Sequence, residues 1–311
     1  MIIKTLALLA LSIILPVYAN EPEETLATTR ELYTCKDEAK RFGSWASIAG
    51  QIDISEVVGN LPGVQLAQVG VGDGRIIRGI VSTGKAPNTN AILVIGGNGW
   101  SAKPFAGSVL PHMMKFDTDI YYFDYRGYGL SKPGLPTMHA ILEDYRDIGN
   151  WLKSKQYDHL YLYAFSFGGV VALGAFSELR PFERIVIDSA PSRASDFGFS
   201  CFPTYETVDF LRPDCAKLTV MHGTSDWVMP RPKVDELIGR AKTCGATIDS
   251  DANRGHPFQI EWESSRIARI ESVMRHLKRL YAVSCGTQRS HFVMAGANGW
   301  AGRCLSLDMR K

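Results

Sequence analysis

The order of apolar runs predicts an α/β domain with a mostly parallel sheet, helices on both faces and an antiparallel pair of strands at the start. Three observations carry that prediction. Short β-type runs at Ala91–Ile95, Ile120–Asp124, Leu160–Ala164, Arg184–Asp188 and Leu218–His222 alternate with helix-forming stretches, the order expected of parallel strands joined by crossover helices. Ahead of them, Val64–Val71 and Ile76–Val81 are joined across Gly72–Asp73–Gly74, and Asp-Gly is a strong hairpin signal. At 311 residues and 45% hydrophobic, the chain is long enough for one large core.

The first residues stand apart from that pattern. Met1–Lys4 is short and basic, Leu6–Val17 is almost entirely apolar, and Val17–Tyr18–Ala19 places small residues before a cut at Asn20. Residues 1–19 therefore read as a signal peptide. The apolar run is shorter than a bilayer span, so the expectation is an exported protein, periplasmic or secreted, with no stable membrane span after cleavage. Residues 20–54 read as an N-terminal arm with a surface helix over Glu23–Gly43. The main domain is expected over 55–283, with helices at Phe105–Lys115, Met138–Lys155, Phe167–Ser177, Val234–Lys242 and Pro257–Tyr281, and a last short strand at Ala246–Ile248. The excursion Pro191–Cys215 is too short for a separate cap domain, so the cap is minimal. Residues 284–311 form a Gly-rich tail.

A net charge of +2 without a long charge block argues against a nucleic-acid partner. The six cysteines have no C-x-x-C spacing, so neither a metal site nor a redox pair is expected. In an exported chain an even count favours disulfides, whose connectivity sequence leaves open. The most local pairing is Cys201–Cys215 and Cys285–Cys304, leaving Cys35–Cys244. Gly79-x-x-x-x-Gly84–Lys85 imitates a phosphate-binding loop, but Ala86 replaces the required hydroxyl residue and no helix pattern follows.

Chemistry centres on Leu160–Val171. A strand-like run stops at Ala164–Phe165–Ser166–Phe167–Gly168–Gly169 and a run of small and apolar residues follows. This is the strand–serine–helix turn that exposes a serine hydroxyl. Such a hydroxyl needs a base, and the base an acid to hold its tautomer. In a parallel sheet both belong in loops beyond the carboxyl ends of strands. Asp226 follows the Leu218–His222 strand and is preferred over the rival Asp188, because His222–Gly223 supplies a turn. Of the seven histidines only His256 lies in a loop after the last strand, which makes it the candidate base. Donors for a developing oxyanion would be the N–H of Phe167 and, from the loop after Ala91–Ile95, Asn98. Trp100, Phe165, Phe167, Trp227 and Phe258 flank these loops and are candidates to line an acyl pocket.

Together, Gly97–Asn98–Gly99, Asp124–Tyr125–Arg126–Gly127–Tyr128–Gly129–Leu130–Ser131, Ala164-x-Ser166-x-Gly168, His222–Gly223-x-x-Asp226 and Gly255–His256 resemble the α/β-hydrolase pattern. They are most similar to its cap-poor, serine-aminopeptidase-like group. The resemblance runs from the Asp73–Gly74 hairpin to the helix at Pro257–Tyr281. It implies Ser166 as nucleophile, His256 as base, Asp226 as acid, and Asn98 with Phe167 as oxyanion donors. Two positions depart from the pattern: Ala164 replaces the first glycine of the turn, and Gly96 stands where relatives often carry a histidine, which leaves the support of that loop open. The expected activity is hydrolysis of a carboxylic ester or thioester in a small-molecule, lipid or acylated substrate, without metal or organic cofactor. Peptide or amide cleavage is the alternative within the same chemistry, and a non-catalytic binding protein on this scaffold the alternative outside it.

Overall fold

The computed structural model describes residues 36–59, 61–84, 89–176, 178–197, 205–251, 253–259 and 262–278. Among them, eight strands form one sheet: β1 (Val64–Gly70), β2 (Ile76–Ser82), β3 (Asn90–Ile95), β4 (Asp119–Phe123), β5 (His159–Phe165), β6 (Arg184–Asp188), β7 (Leu218–Gly223) and β8 (Thr247–Asp251), in the order β1-β2-β4-β3-β5-β6-β7-β8. β1 and β2 pair antiparallel through the expected hairpin, and β2 also runs antiparallel to β4. Every pair from β4 through β3 to β8 is parallel. Gly79 of the phosphate-loop look-alike lies inside β2, paired with Phe123.

The helices are α1 (Lys36–Ala49), α2 (Ser55–Val58), α3 (Ala102–Ser108), α4 (Leu110–Met113), α5 (Met138–Ser154), α6 (Phe167–Ala175), α7 (Arg231–Thr243) and α8 (Glu263–Lys278). Strand side chains alternate between faces, and here they divide two cores. Ala91, Leu93, Ile95, Leu162 and Ala164 pack with α1, α5, α6 and α7, whereas Ile92, Val94, Tyr161, Tyr163 and Phe165 pack with α2, α3, α4 and α8. Thr137 starts α5 by accepting the Ala140 N–H at 3.0 Å, the side-chain cap that satisfies one orphan donor of a helix start. Among the described residues no helix is long and apolar enough to cross a membrane.

Four expectations change. The helix expected at Phe105–Lys115 begins earlier and divides into α3 and α4. The helix expected from Pro257 begins only at Glu263, because Phe258 adopts φ 61°, outside the helical region, and inserts its ring into the second core. The arm helix runs on to Ala49, past the expected end at Gly43, and α1 belongs to the same compact unit as the sheet. Phe42, Ala46 and Ala49 are buried against the first core, with Trp45 beside them.

The cysteine pairing is the fourth. Cys215 bonds to Cys244, with Cα atoms 5.1 Å apart, so neither Cys201–Cys215 nor Cys35–Cys244 forms. The reason is topological. Cys215 precedes β7 and Cys244 follows α7, and the parallel β7–β8 pairing returns the chain beside its start. The Cys215 N–H donates to the Cys244 carbonyl at 2.8 Å. The Cys285–Cys304 pairing, the signal peptide and the C-terminal tail lie outside the described residues. Closing this loop should contribute about 3 kcal/mol. Cys215→Ala/Cys244→Ala is expected to lower the urea-unfolding free energy by about that amount, while the folded variant keeps its far-UV circular dichroism.

Candidate active site

Ser166 sits between β5 and α6 with φ 55° and ψ −128°, a strained backbone for a residue with a side chain. Its neighbours hold it there. The Ser166 N–H donates to the Asp188 carbonyl at 2.8 Å, and its own carbonyl accepts from the Gly169 N–H at 2.9 Å. A Cβ on Gly168 would lie 2.3 Å from the Ile95 carbonyl oxygen, so only glycine lets α6 start this close to β3. Ala164 belongs to the first core, on the face opposite Phe165, where a methyl group is accommodated.

Asp226 follows β7 and is buried with His256. His256 Nδ1 lies 2.9 Å from Asp226 Oδ2. The second oxygen, Oδ1, accepts the Val228 N–H at 2.9 Å and the Met229 N–H at 2.8 Å. Burial pushes the Asp226 carboxyl up, but the bond and charge of His256, with help from Met229 and Ser189, outweigh it and hold the group below its ordinary value. The carboxylate thus stays ionised against the imidazole and leaves Nε2 as the nitrogen turned away from the acid. Ser166, His256, Asn98 and Phe167 line one cleft.

The rival acid has a different role. Asp188 and Arg269 are both fully buried, and Arg269 Nη1 donates to both Asp188 oxygens at 2.8 Å. Arg269 Nη2 donates to the carbonyl of Gly255 at 2.5 Å, one residue before His256. Arg269 comes from α8, whose position in turn depends on Asp249 of β8. Asp249 Oδ2 is bonded to His276 Nε2 at 3.0 Å and accepts from Ser272 Oγ at 2.8 Å. The His276 bond comes first in holding the Asp249 carboxyl well below its ordinary value, followed by Ser272 and Arg254 against the opposing effect of burial. His222, next to last in β7 and four residues before Asp226, is buried. Neither ring nitrogen has a hydrogen-bond partner among the described residues, and burial pushes its pKa down.

The loop after β3 is supported by tyrosines. Tyr125 Oη donates to the Gly96 carbonyl at 2.5 Å, and Tyr128 Oη donates to Asn98 Oδ1 at 2.8 Å. A side chain at Gly96 would meet Tyr122 Oη 2.2 Å from its Cβ. Asp124 completes the support by accepting the Ala102 and Leu130 N–H groups, each at 2.7 Å. Burial pushes its carboxyl up to about 7, against the pull of those two donors.

The apolar lining differs from the expected one. Phe167 faces the cleft, but Trp100, Phe165 and Phe258 do not line it. Their rings pack on one another, with centroids 5.1–5.8 Å apart. Strand alternation turns Phe165 to the second core, and Trp100 and Phe258 follow it. Trp227 is exposed and borders a neighbouring groove. The walls of the cleft are instead Trp45 from α1, Val170 from α6, Ala194 and Phe197 from the excursion, and Met229, with Arg41 at the α1 side. The i, i+3, i+4, i+7 spacing of Phe42, Trp45, Ala46 and Ala49 was the signal that α1 packs on the domain.

No family model matches the chain, and no curated protein matches it either. Solved structures do. An esterase of Pyrococcus furiosus superposes with TM-score 0.58 at 17% identity, covering 74% of this chain and 94% of its own. A serine hydrolase of Xanthomonas campestris described as lacking a lid gives 0.56 at 17% identity, covering 70% of this chain and 95% of its own. The chain has the α/β-hydrolase fold. A prolyl endopeptidase shares it too, at TM-score 0.54 and 17% identity, over 70% of this chain and 38% of its own. The resemblance noted in the motifs and the strand order thus converge on one architecture, without a large cap domain.

Two outcomes test the supports of the site. Arg269→Met strands the Asp188 carboxylate in the core and is expected to cost about 3–5 kcal/mol; adding Asp188→Asn should recover part of that loss in urea unfolding. Asp249→Asn lowers stability at pH 7. A carboxyl with a depressed folded pKa stabilises above its unfolded value of about 3.9 and loses that contribution as pH falls toward the folded value. The gap between variant and native protein should therefore close below about pH 4 in a pH series of thermal melts.

Proposed function

We propose that the protein is a serine hydrolase that cleaves a carboxylic ester or thioester through an acyl-enzyme. The observation that carries this reading is the His256–Asp226 bond at 2.9 Å in the same cleft wall as Ser166. In the forward step, His256 Nε2 takes the Ser166 hydroxyl proton as Oγ bonds to the acyl carbon. That proton passes to the leaving oxygen or sulfur as its bond to the acyl carbon breaks. Water, deprotonated by the same nitrogen, then releases the acid. Asp226 keeps Nδ1 as the protonated position and offsets the charge on the imidazolium.

Negative charge on the carbonyl oxygen has two candidate donors. Phe167 opens α6, and the first turn of a helix is the end that favours an anion. Asn98 is oriented by Tyr128: with Oδ1 occupied as an acceptor, its Nδ2 is the end left to donate. One such donor contributes about 3 kcal/mol to lowering the barrier.

An ester or thioester is favoured over a peptide with a free amino terminus. The described residues lining the cleft include Arg41 but no Asp or Glu, and a free α-ammonium group would call for a carboxylate. This sets the chain apart from the aminopeptidase activity of the group its motifs resemble, and leaves the small cap as the shared feature. Export, proposed from residues 1–19, is supported by the Cys215–Cys244 disulfide, which suits an oxidising compartment.

A fluorophosphonate probe should label the native protein and not Ser166→Ala; labelling that survives would remove Ser166 as nucleophile. Asp226→Asn should retain the fold and lower kcat on a p-nitrophenyl ester by about 10³–10⁴-fold. Aminoacyl anilides should be turned over far more slowly than the esters.

A further inference from the structure

A second, open groove lies next to the cleft and shares His256 and Gln259 with it. Its border carries Trp227 and Trp262, which are 70% and 83% exposed. Tryptophan is among the more thoroughly buried residue types on average. These two are the only aromatic side chains among the large exposed hydrophobics of the described residues, the others being Ile48, Leu66, Ile76 and Leu135. Both border the same groove. The polar groups beside them, Asn253, Gln259 and Ser265, are neutral and offer both donors and acceptors. Among the described residues, His256 is the only ionisable side chain that lines it.

That combination has a chemical reading. Flat, exposed indole faces suit a ring with apolar C–H faces, and neutral amides and a hydroxyl suit hydroxyl groups at the ring's rim. Among the described lining residues none carries a fixed charge to pair with a phosphate, carboxylate or ammonium. The position gives the groove its role. His256 borders both spaces, with Ser166 on the cleft side only, so an acyl group beside Ser166 leaves the alcohol half of the substrate on the groove side.

We propose that the groove is the leaving-group subsite and that it takes a sugar ring, so that the substrate is an ester of a carbohydrate hydroxyl. This rests on the serine-hydrolase reading. As acyl–Ser166 forms, the bond between the acyl carbon and the sugar oxygen breaks, and His256 returns to that oxygen the proton it took from Ser166.

The test compares kcat/KM on methyl 6-O-butyrylglucoside, ethyl butyrate and phenyl butyrate, which share one acyl group. The sugar ester should be preferred over the ethyl ester. Trp227→Ala/Trp262→Ala should lower that preference about 10- to 100-fold, from a few-fold to tenfold per ring, and Trp262→Ala alone should give part of the effect if the double variant misfolds. An unchanged ratio overturns the proposal. So does a loss confined to phenyl butyrate, or a loss only of binding to phosphatidylglycerol vesicles, which would make the groove an aromatic or membrane contact. The groove is also read without catalysis. Cellobiose should quench the tryptophan fluorescence of Ser166→Ala protein, and the quench should vanish in the added double variant. Quenching without any ester turnover would retain the sugar site and remove the hydrolase reading; turnover without sugar preference or quenching would do the reverse.

Discussion

Asp188 joins the two halves of the site through its backbone and its side chain at once. Its carbonyl holds the Ser166 N–H, and its carboxylate holds Arg269, which in turn holds the carbonyl before His256. Two ions without solvent exposure cost several kcal/mol each in desolvation, and their attraction in the interior offsets that cost only with good geometry and further hydrogen bonds. Here both carboxylate oxygens and the second guanidinium nitrogen are engaged. What the arrangement secures is relative position: the serine turn on β5 and the histidine loop after β8 are far apart in sequence, and the buried pair links them.

The loop carrying Asn98 shows the same principle with uncharged groups. Tyr125 and Tyr128 come from the glycine-rich segment after β4 and bond to Gly96 and Asn98, while Asp124 ties that segment to the start of α3. Buried tyrosines need partners for their hydroxyls, and this loop's carbonyl and amide supply them. The cleft is then closed from the side by elements that no strand order requires, α1 and the excursion after β6. Their side chains, Trp45, Ala194 and Phe197 among them, form part of its wall. A second groove lies beyond His256.

Much of this architecture was legible along the chain. Alternation of apolar residues identified the strands because a strand presents successive side chains to opposite faces, and the Asp73–Gly74 turn identified the antiparallel start. Ser166, Asp226 and His256 were legible as a group because each follows a strand whose carboxyl end must point the same way. Arg269 was not, since a lone arginine in an amphipathic helix ordinarily faces solvent, and its partner Asp188 is distant in sequence. The packing of Trp100, Phe165 and Phe258 was misread for a related reason. Nearness to a catalytic loop in sequence does not say which face of the sheet a ring takes.

By itself, then, the sequence determined the α/β class, the strand–serine–helix turn and the small set of loops from which partners for that serine could come. These depend on local periodicity and turn chemistry. Tertiary structure alone decided the Cys215–Cys244 bond, the Asp188–Arg269 link and the lining of the cleft. Each of these joins residues that only β-strand pairing and helix packing bring together, and no local pattern encodes such distances. Ser166 shows both levels. Its turn can be read from a few neighbouring residues, but its hold on Asp188 and its place in one cleft with His256 exist only in the folded sheet.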